Sequence, residues 1–200
     1  MQLNNLIDTS GLVAGIDEAG RGPLAGPVVA AAVILAPGQD TQHYKDSKAL
    51  SAGRRERLAE DIRTHSLAWS IAVASRAEID SFNILQATML AMRRAIIGLK
   101  VLPSAVQVDG NRLPDLDIDG TRIPGAAIVG GDGKIAAISA ASILAKTARD
   151  EMMLAIDSRY PGYGFAQHKG YGTAQHREQL QALGPCPEHR HSFAPVRKLL

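Results

Sequence analysis

Runs of apolar residues, ended by glycine, proline or a carboxylate, divide the chain into alternating strands and helices. Two early runs, residues 12–17 and 27–36, predict buried strands joined by a turn rich in glycine and proline. Further strands are predicted at residues 67–75, 105–108 and 126–129. An early hairpin followed by helices and strands in alternation indicates an α/β fold with a mixed β-sheet flanked by helices.

Apolar positions at helical spacing predict helices at residues 51–65, 83–100 and 135–160, with a short one from Ala174. Ser51 is placed to cap the first of these helices. Small Ala and Ser side chains between residues 136 and 145 would let the third helix approach the sheet closely. The polar stretch 111–124 is predicted to be a loop.

The composition suits one domain. A chain of 200 residues with 46% hydrophobic and 21% charged residues can bury a single core, so residues 1–200 are treated as one domain. Residues 1–160 are expected to form its core. After Pro161 the character of the sequence changes, and residues 161–200 are expected to form a small, basic, helical C-terminal region that contacts substrate.

Positive charge is concentrated toward the C-terminus. Residues 134–200 contain nine Lys or Arg against five Asp or Glu, whereas the preceding part is slightly acidic. This distribution suits a polyanionic partner such as nucleic acid, although an ordinary solvated surface would also be compatible with it.

The sequence also indicates a cellular compartment. Because Cys186 is the single cysteine, an internal disulfide and a thiolate zinc cluster are both excluded. Residues 1–10 lack the regions of a signal peptide, and no apolar run is long enough to span a bilayer. We therefore expect a cytoplasmic protein without membrane contact.

Three predicted strands end in acidic residues. Asp17 and Glu18 end the first, Asp109 ends the fourth, and Asp132 follows the fifth. Carboxylates at buried strand ends are costly unless they are paired or bound to metal, and strand ends are where sites form in open α/β sheets. Each Asp-Gly pair alone is an ordinary turn signal. Together, these residues indicate a divalent metal site.

Oxygen ligands of this kind favour Mg²⁺ or Mn²⁺, and two such ions roughly 3.5–4 Å apart can clamp the attacking and leaving oxygens of a phosphodiester. Neighbouring residues of a strand face opposite sides of the sheet. We therefore expect Asp17 and Glu18 to share a site only if Glu18 already lies in the turn.

A glycine-rich segment follows directly, with Gly20, Arg21 and Gly22 in succession. Glycine lets a backbone approach a ligand closely, and exposed amides can hold a phosphate or a hydroxyl. The alternative is a tight turn that carries a surface arginine.

Residues 15–23, Gly-Ile-Asp-Glu-Ala-Gly-Arg-Gly-Pro, resemble the bacterial ribonuclease HII family. Matching blocks continue in the family's order over nearly the whole chain, at residues 46–48, 108–111, 131–132, 138–146, 149–150, 163–165, 168–173 and 191–193. The resemblance implies a ribonuclease H-like mixed sheet flanked by helices. It also implies an endonuclease that hydrolyses RNA in RNA–DNA hybrids and cuts 5′ to single ribonucleotides in duplex DNA, leaving a 3′-hydroxyl and a 5′-phosphate.

Four acidic residues match the family's active site and are implied to be catalytic residues and ligands of two Mg²⁺ or Mn²⁺ ions: Asp17, Glu18, Asp109 and Asp132. By the same resemblance, the backbone of Gly20, Arg21 and Gly22 senses the 2′-hydroxyl at an RNA–DNA junction. Tyr171 matches a tyrosine that stacks on the deoxyribose beside the junction. Ala137 stands where some members have a glutamate, which removes one possible additional carboxylate.

Further substrate contacts are expected at Ser47, Lys48, Lys146 and Lys169. The lysines would contact phosphates, although each could instead be a solvated surface side chain. His168 could shuttle a proton or serve the structure alone. We expect a monomer.

Two other functions compete with this interpretation. A different nuclease or strand-transfer enzyme could use the same fold, but the block at residues 20–22 argues against it. A non-catalytic hybrid-binding module is the second alternative. It would gain nothing from four carboxylates near phosphates.

Overall fold

The computed structural model describes residues 11–44 and 51–200. Its centre is a five-stranded sheet in the order β3-β2-β1-β4-β7. The strands are β1 (Val13–Ala19), β2 (Val28–Ile34), β3 (Ala68–Ala74), β4 (Ala105–Asp109) and β7 (Gly125–Ile128). Strands β1, β2 and β3 pair antiparallel, whereas β4 pairs parallel with both β1 and β7. The predicted mixed sheet is confirmed.

Helices cover both faces of the sheet and continue into a C-terminal region. The helices are α1 (Ala52–His65), α2 (Arg76–Ile97), α3 (Ala136–Arg159), α4 (Phe165–His168), α5 (Ala174–Leu183) and α6 (Ala194–Arg197). Helix α2 packs on one face of the sheet, and α1 and α3 pack on the other. None of the helices in the described ranges is both long and apolar enough to cross a bilayer.

Strand β2 is buried along its whole length, because alternate side chains enter the two cores. On the neighbouring strand, Gly15 allows α3 to lie directly on the sheet. A side-chain carbon at Gly15 would overlap the backbone of Ala137 and Ile138 at the start of α3. The close approach that the small residues of α3 predict is therefore present, and it depends on Gly15.

The start of α2 and the capping of α1 differ from the prediction. Helix α2 begins at Arg76, because Ser75 and Glu78 form a reciprocal capping box. At Asn83 the backbone turns to φ 66°, and its side-chain oxygen accepts the amides of the residues two and three positions later. The predicted start at residue 83 is thus a second cap inside a longer, kinked element. Ser51 does precede α1, but its side chain makes no capping hydrogen bond.

The segment 111–124 is not only a loop, as the polar sequence predicted. It contains a small hairpin of β5 (Asp117–Ile118) and β6 (Thr121–Arg122). Asp119 and Gly120 turn the hairpin with positive φ angles of 51° and 78°. Buried Leu116, Ile118 and Ile123 secure this segment to the core, which is how so polar a stretch becomes ordered.

The C-terminal region packs against the turn between β1 and β2. Leu24 and Ala25 of that turn lie in two small cores built with residues from the C-terminal region. His168 belongs to this packing, because one ring nitrogen contacts the carbonyl of Tyr163 at 2.7 Å and the other accepts the amide of Gly170 at 3.1 Å. Both nitrogens therefore have backbone partners, which favours the structural role over proton transfer.

The close packing at Gly15 can be tested with two glycine substitutions. Gly15→Ala should lower the free energy of unfolding by about 1–3 kcal/mol or more, because overpacking forces backbone to move. Gly53→Ala is the matched control: Gly53 lies in α1 with nothing within 4 Å of an added carbon. That change should be neutral or stabilise by up to about 1 kcal/mol. Urea denaturation measures both, and equal effects would contradict this packing.

Candidate active site

Asp17 and Glu18 lie side by side near the end of β1. Asp17 is only 5% exposed, and one of its carboxylate oxygens accepts the amide of Glu18 at 2.7 Å. Ser142 on α3 also hydrogen-bonds to the Asp17 carboxylate. On the other side, Arg21 pairs with the carboxylate of Glu18 at 3.2 Å.

Glu18 does not lie in the turn, which was the condition under which we expected it to share a site with Asp17. Glu18 is inside β1 and pairs with Ala30, whereas Asp17 pairs with Ala31. Ala30 and Ala31 belong to the cores on opposite faces, so the two acidic residues do alternate. Their carboxylates nevertheless interact with each other and with Asp109. Near the end of β1, side chains on opposite faces are thus close enough for their charges to interact.

Asp109 ends β4, the strand parallel to β1. Its carboxylate accepts the amide of Gly131 at 2.7 Å, which joins the end of β4 to the turn after β7. Asp132 is the next residue in that turn and is buried. The hydroxyl of Ser139 on α3 donates to the Asp132 carbonyl and fixes the turn against the helix.

Burial is the main electrostatic penalty at both Asp17 and Glu18. Burial, followed by the charge of Glu18, raises the pKa of Asp17 well above its ordinary value. Burial also raises the pKa of Glu18, and the cationic Arg21 opposes that rise. A cation placed between the carboxylates would remove this penalty.

The donor set fits a hard divalent cation in kind, because such ions take carboxylate oxygens. Within residues 11–44 and 51–200, however, no group of three or more acidic, histidine or cysteine side chains stands close enough together to hold one ion. The carboxylates would have to draw closer to share a ligand sphere.

A cavity of about 380 Å³ opens beside Glu18. It is lined by Glu18, Ala19, Gly20, Arg21, Gly22, Arg55, Ser142, Lys146 and Tyr171. Gly22 and Tyr171 face each other, since a side-chain carbon at Gly22 would lie 3.7 Å from the tyrosine ring. Tyr171 is 45% exposed, and its ring lies 5.9 Å from the guanidinium carbon of Arg149. The structure thus brings the glycine-rich turn and the predicted stacking residue together beside the carboxylates.

The predicted lysines occupy different positions. Lys146 lines the cavity and pairs with Asp150 at 2.6 Å. Lys169 lines a smaller neighbouring cavity, and its ammonium donates to the carbonyl of Ala166 at 2.6 Å. The predicted contacts at Ser47 and Lys48 lie outside the described residues.

Two polar side chains that line the cavity were not predicted as substrate contacts. Arg55 reaches the cavity from α1 and pairs with Asp150 at 3.2 Å. Ser142 reaches it from α3 and contacts Asp17. In the sequence, Arg55 stands among several charged residues of a predicted surface helix, so only the packing of α1 beside α3 reveals it. Ser142 lies in the family-matching block at residues 138–146, and that match was the one indication in the sequence that it could belong to the site.

Comparison with known proteins gives consistent matches. The family model "Ribonuclease HII" matches residues 14–196. Ribonuclease HII of Acidovorax sp. (strain JS42) is 60% identical over 190 residues, covering 95% of this chain and 88% of that protein. Among solved structures, ribonuclease H2 from Pyrococcus horikoshii OT3 has a TM-score of 0.77 at 26% identity, covering 94% of this chain and 96% of that one.

Bst-RNase HIII in complex with Mn²⁺ shares the fold, with a TM-score of 0.71 at 19% identity over 96% of this chain and 71% of that one. The sequence matches span nearly the full chain and include the segments that carry the four carboxylates. The chain belongs to the ribonuclease HII family, and it is a ribonuclease H enzyme, an endonuclease that acts on nucleic acid.

Proposed function

We propose that the enzyme hydrolyses RNA in RNA–DNA hybrids and cuts duplex DNA on the 5′ side of an embedded single ribonucleotide. Water attacks the phosphorus, the bond from phosphorus to the 3′-oxygen breaks, and the products carry a 3′-hydroxyl and a 5′-phosphate. The observation that carries the proposal is the position of Glu18 in a cavity walled by Gly22 on one side and Tyr171 on the other.

Asp17, Glu18, Asp109 and Asp132 are the proposed catalytic residues and metal ligands. When bound, two Mg²⁺ or Mn²⁺ ions would activate water and stabilise the departing oxygen. The raised pKa values of Asp17 and Glu18 support this assignment, because buried carboxylates close to the charge of Asp109 gain from a cation. Bst-RNase HIII, a protein of the same fold, is known in complex with Mn²⁺.

Substrate recognition is proposed to divide between two sides of the cavity. The backbone of Gly20, Arg21 and Gly22 would contact the 2′-hydroxyl, the group by which a protein distinguishes RNA from DNA. Tyr171 would stack on the deoxyribose that follows the ribonucleotide. Its exposed ring, 5.9 Å from the guanidinium carbon of Arg149, supports this role.

The basic C-terminal region, residues 161–200, would extend the contact with the sugar-phosphate backbone. Among the predicted phosphate contacts, Lys146 has support from its position, because it lines the cavity beside Glu18 together with Ser142. Lys169 would act from the neighbouring cavity. Ser47 and Lys48 remain predictions. We propose that the enzyme acts as a cytoplasmic monomer.

Asp109→Asn tests the metal site. It retains the oxygen that accepts the Gly131 amide but removes a negative charge, so cleavage should fall by orders of magnitude while hybrid binding survives. Asp119→Asn is the matched control, because Asp119 is exposed in the β5–β6 turn and asparagine tolerates its positive φ.

Cleavage rates of both variants and of the wild type are measured with Mg²⁺, with Mn²⁺ and in excess chelator. The wild type should be inactive in chelator, and the control should match it throughout. Near-normal turnover by Asp109→Asn, or full wild-type activity in chelator, would contradict the proposed centre.

Tyr171→Ala tests recognition of the junction. Loss of one stacking contact is worth about 1–3 kcal/mol, or roughly 5- to 150-fold in rate. The loss should be greatest on a lone ribonucleotide flanked by DNA, because continuous hybrid lacks that deoxyribose at most cut sites.

Tyr171→Phe is the control that keeps the ring, and it should retain most activity on both substrates. Rates are compared on the two substrates with the same protein preparation, so that a folding defect lowers both together. Equal losses on both substrates would assign Tyr171 to packing alone.

A further inference from the structure

Two arginines are completely enclosed beneath the turn between β1 and β2. Arg190 is 0% exposed and Arg149 is 1% exposed. A buried guanidinium is costly unless its donors are satisfied. In the described part of the chain, the hydrogen bonds of both side chains go to backbone carbonyls, and neither forms an ion pair with a carboxylate.

Arg190 holds the turn at four points. Its guanidinium donates to the carbonyls of Gly20 at 2.6 Å, Arg21 at 2.9 Å, Gly26 at 2.9 Å and Pro27 at 3.2 Å. A guanidinium has five donors in a fixed planar fork and can serve four carbonyls at once, whereas a lysine ammonium has three donors. Burial, and then the charge of Arg149, lower the pKa of Arg190 to about 9, so it still carries its proton at neutral pH.

These bonds determine where the amides of the turn point. In a planar trans peptide the C=O and the following N–H point in opposite directions. Because the carbonyls of Gly20 and Arg21 point inward to Arg190, the amides of Arg21 and Gly22 point away from it. The cavity that contains Glu18 and Tyr171 is lined by Gly20, Arg21 and Gly22.

Arg149 supports the other end of the same turn. It donates to the carbonyls of Ala25 at 3.2 Å, Pro27 at 3.0 Å and Lys169 at 3.0 Å. None of these carbonyls shares a peptide with the amides of Arg21 or Gly22. A side-chain carbon at Gly20, where φ is +97°, would overlap the Arg149 side chain.

We propose that Arg190 is a positioning residue for ribonucleotide recognition. By holding the carbonyls of Gly20 and Arg21, it turns the amides of Arg21 and Gly22 into the cleft to contact the ribose 2′-hydroxyl. This inference rests on the proposed function, and it adds the residue that orients the backbone of Gly20, Arg21 and Gly22. Arg190 itself touches neither the substrate nor the reacting atoms.

Binding without cleavage provides the test. Two labelled DNA duplexes of one sequence, one with a single ribonucleotide and one all DNA, are titrated with protein in chelator. The wild type should prefer the ribonucleotide duplex by about two- to tenfold, the contribution of one hydrogen bond. Arg190→Lys keeps the charge but not the fork, so its preference should vanish while affinity for the all-DNA duplex stays within twofold.

Arg149→Lys is the matched control. It also loses a buried guanidinium, yet it should retain the wild-type ratio of the two affinities. An Arg190→Lys protein that keeps the preference would overturn the inference and leave the proposed function intact. A wild-type protein without any preference would count against 2′-hydroxyl sensing itself.

Thermal unfolding shows whether Arg190→Lys is folded. If Arg190→Lys does not fold, the backbone amide signals of the wild type are measured instead by nuclear magnetic resonance. The signals of Arg21 and Gly22 should shift with the ribonucleotide duplex and not with the all-DNA duplex. An equal response to both duplexes would overturn the inference.

Discussion

Helix α3 lies directly on β1, because Gly15 places no side chain between them. That contact presents one stripe of the helix to the active site. Successive residues along it secure successive parts: Ser139 holds the turn at Asp132, Ser142 contacts Asp17, Lys146 lines the cavity, and Arg149 holds the far end of the β1–β2 turn at Ala25 and Pro27. Their spacing of three and four residues keeps them on one face of the helix. The position of α3 on the sheet therefore sets the position of the site.

Charge is arranged around this helix in two ways. Asp17 and Glu18 are buried beside Asp109, and that burial raises the pKa of both. Arg149 and Arg190, in contrast, are buried beneath the β1–β2 turn with carbonyl partners alone in the described ranges. Carboxylates suit cations, whereas the guanidiniums hold the carbonyls of the turn. The two arrangements meet at the cavity, which is lined by Glu18 and by Gly20, Arg21 and Gly22 of the turn.

Local pattern predicted much of this arrangement. The strands at residues 12–17 and 27–36 and the helix at residues 135–160 are present within a few residues of their predicted bounds, because each is marked by an apolar run with a clear stop. The hairpin inside residues 111–124 was missed because the apolar side chains of this segment are few and lie among polar residues. Leu116, Ile118 and Ile123 are nevertheless buried in the core.

The site was predicted less completely. The four acidic residues stand out by sequence, since they follow strands, and the family resemblance added Tyr171. From the sequence alone, Arg190 looks like a surface residue of a basic tail. Its buried position depends on a partner, Gly26, that lies 164 residues away in the sequence. Likewise, strand alternation suggested that Asp17 and Glu18 would diverge, whereas the charges of both interact with that of Asp109. Such contacts follow from tertiary packing, which local pattern does not encode.

Mapping the cut in a duplex with a single ribonucleotide tests the central claim most directly. Duplex DNA labelled at either end of the strand containing the ribonucleotide is incubated with the enzyme and Mg²⁺, and the product ends are identified. The account predicts one cut on the 5′ side of the ribonucleotide, with a 3′-hydroxyl on one fragment and a 5′-phosphate on the other. A cut on the 3′ side, a cyclic 2′,3′-phosphate, or equal cleavage of all-DNA duplex would contradict it.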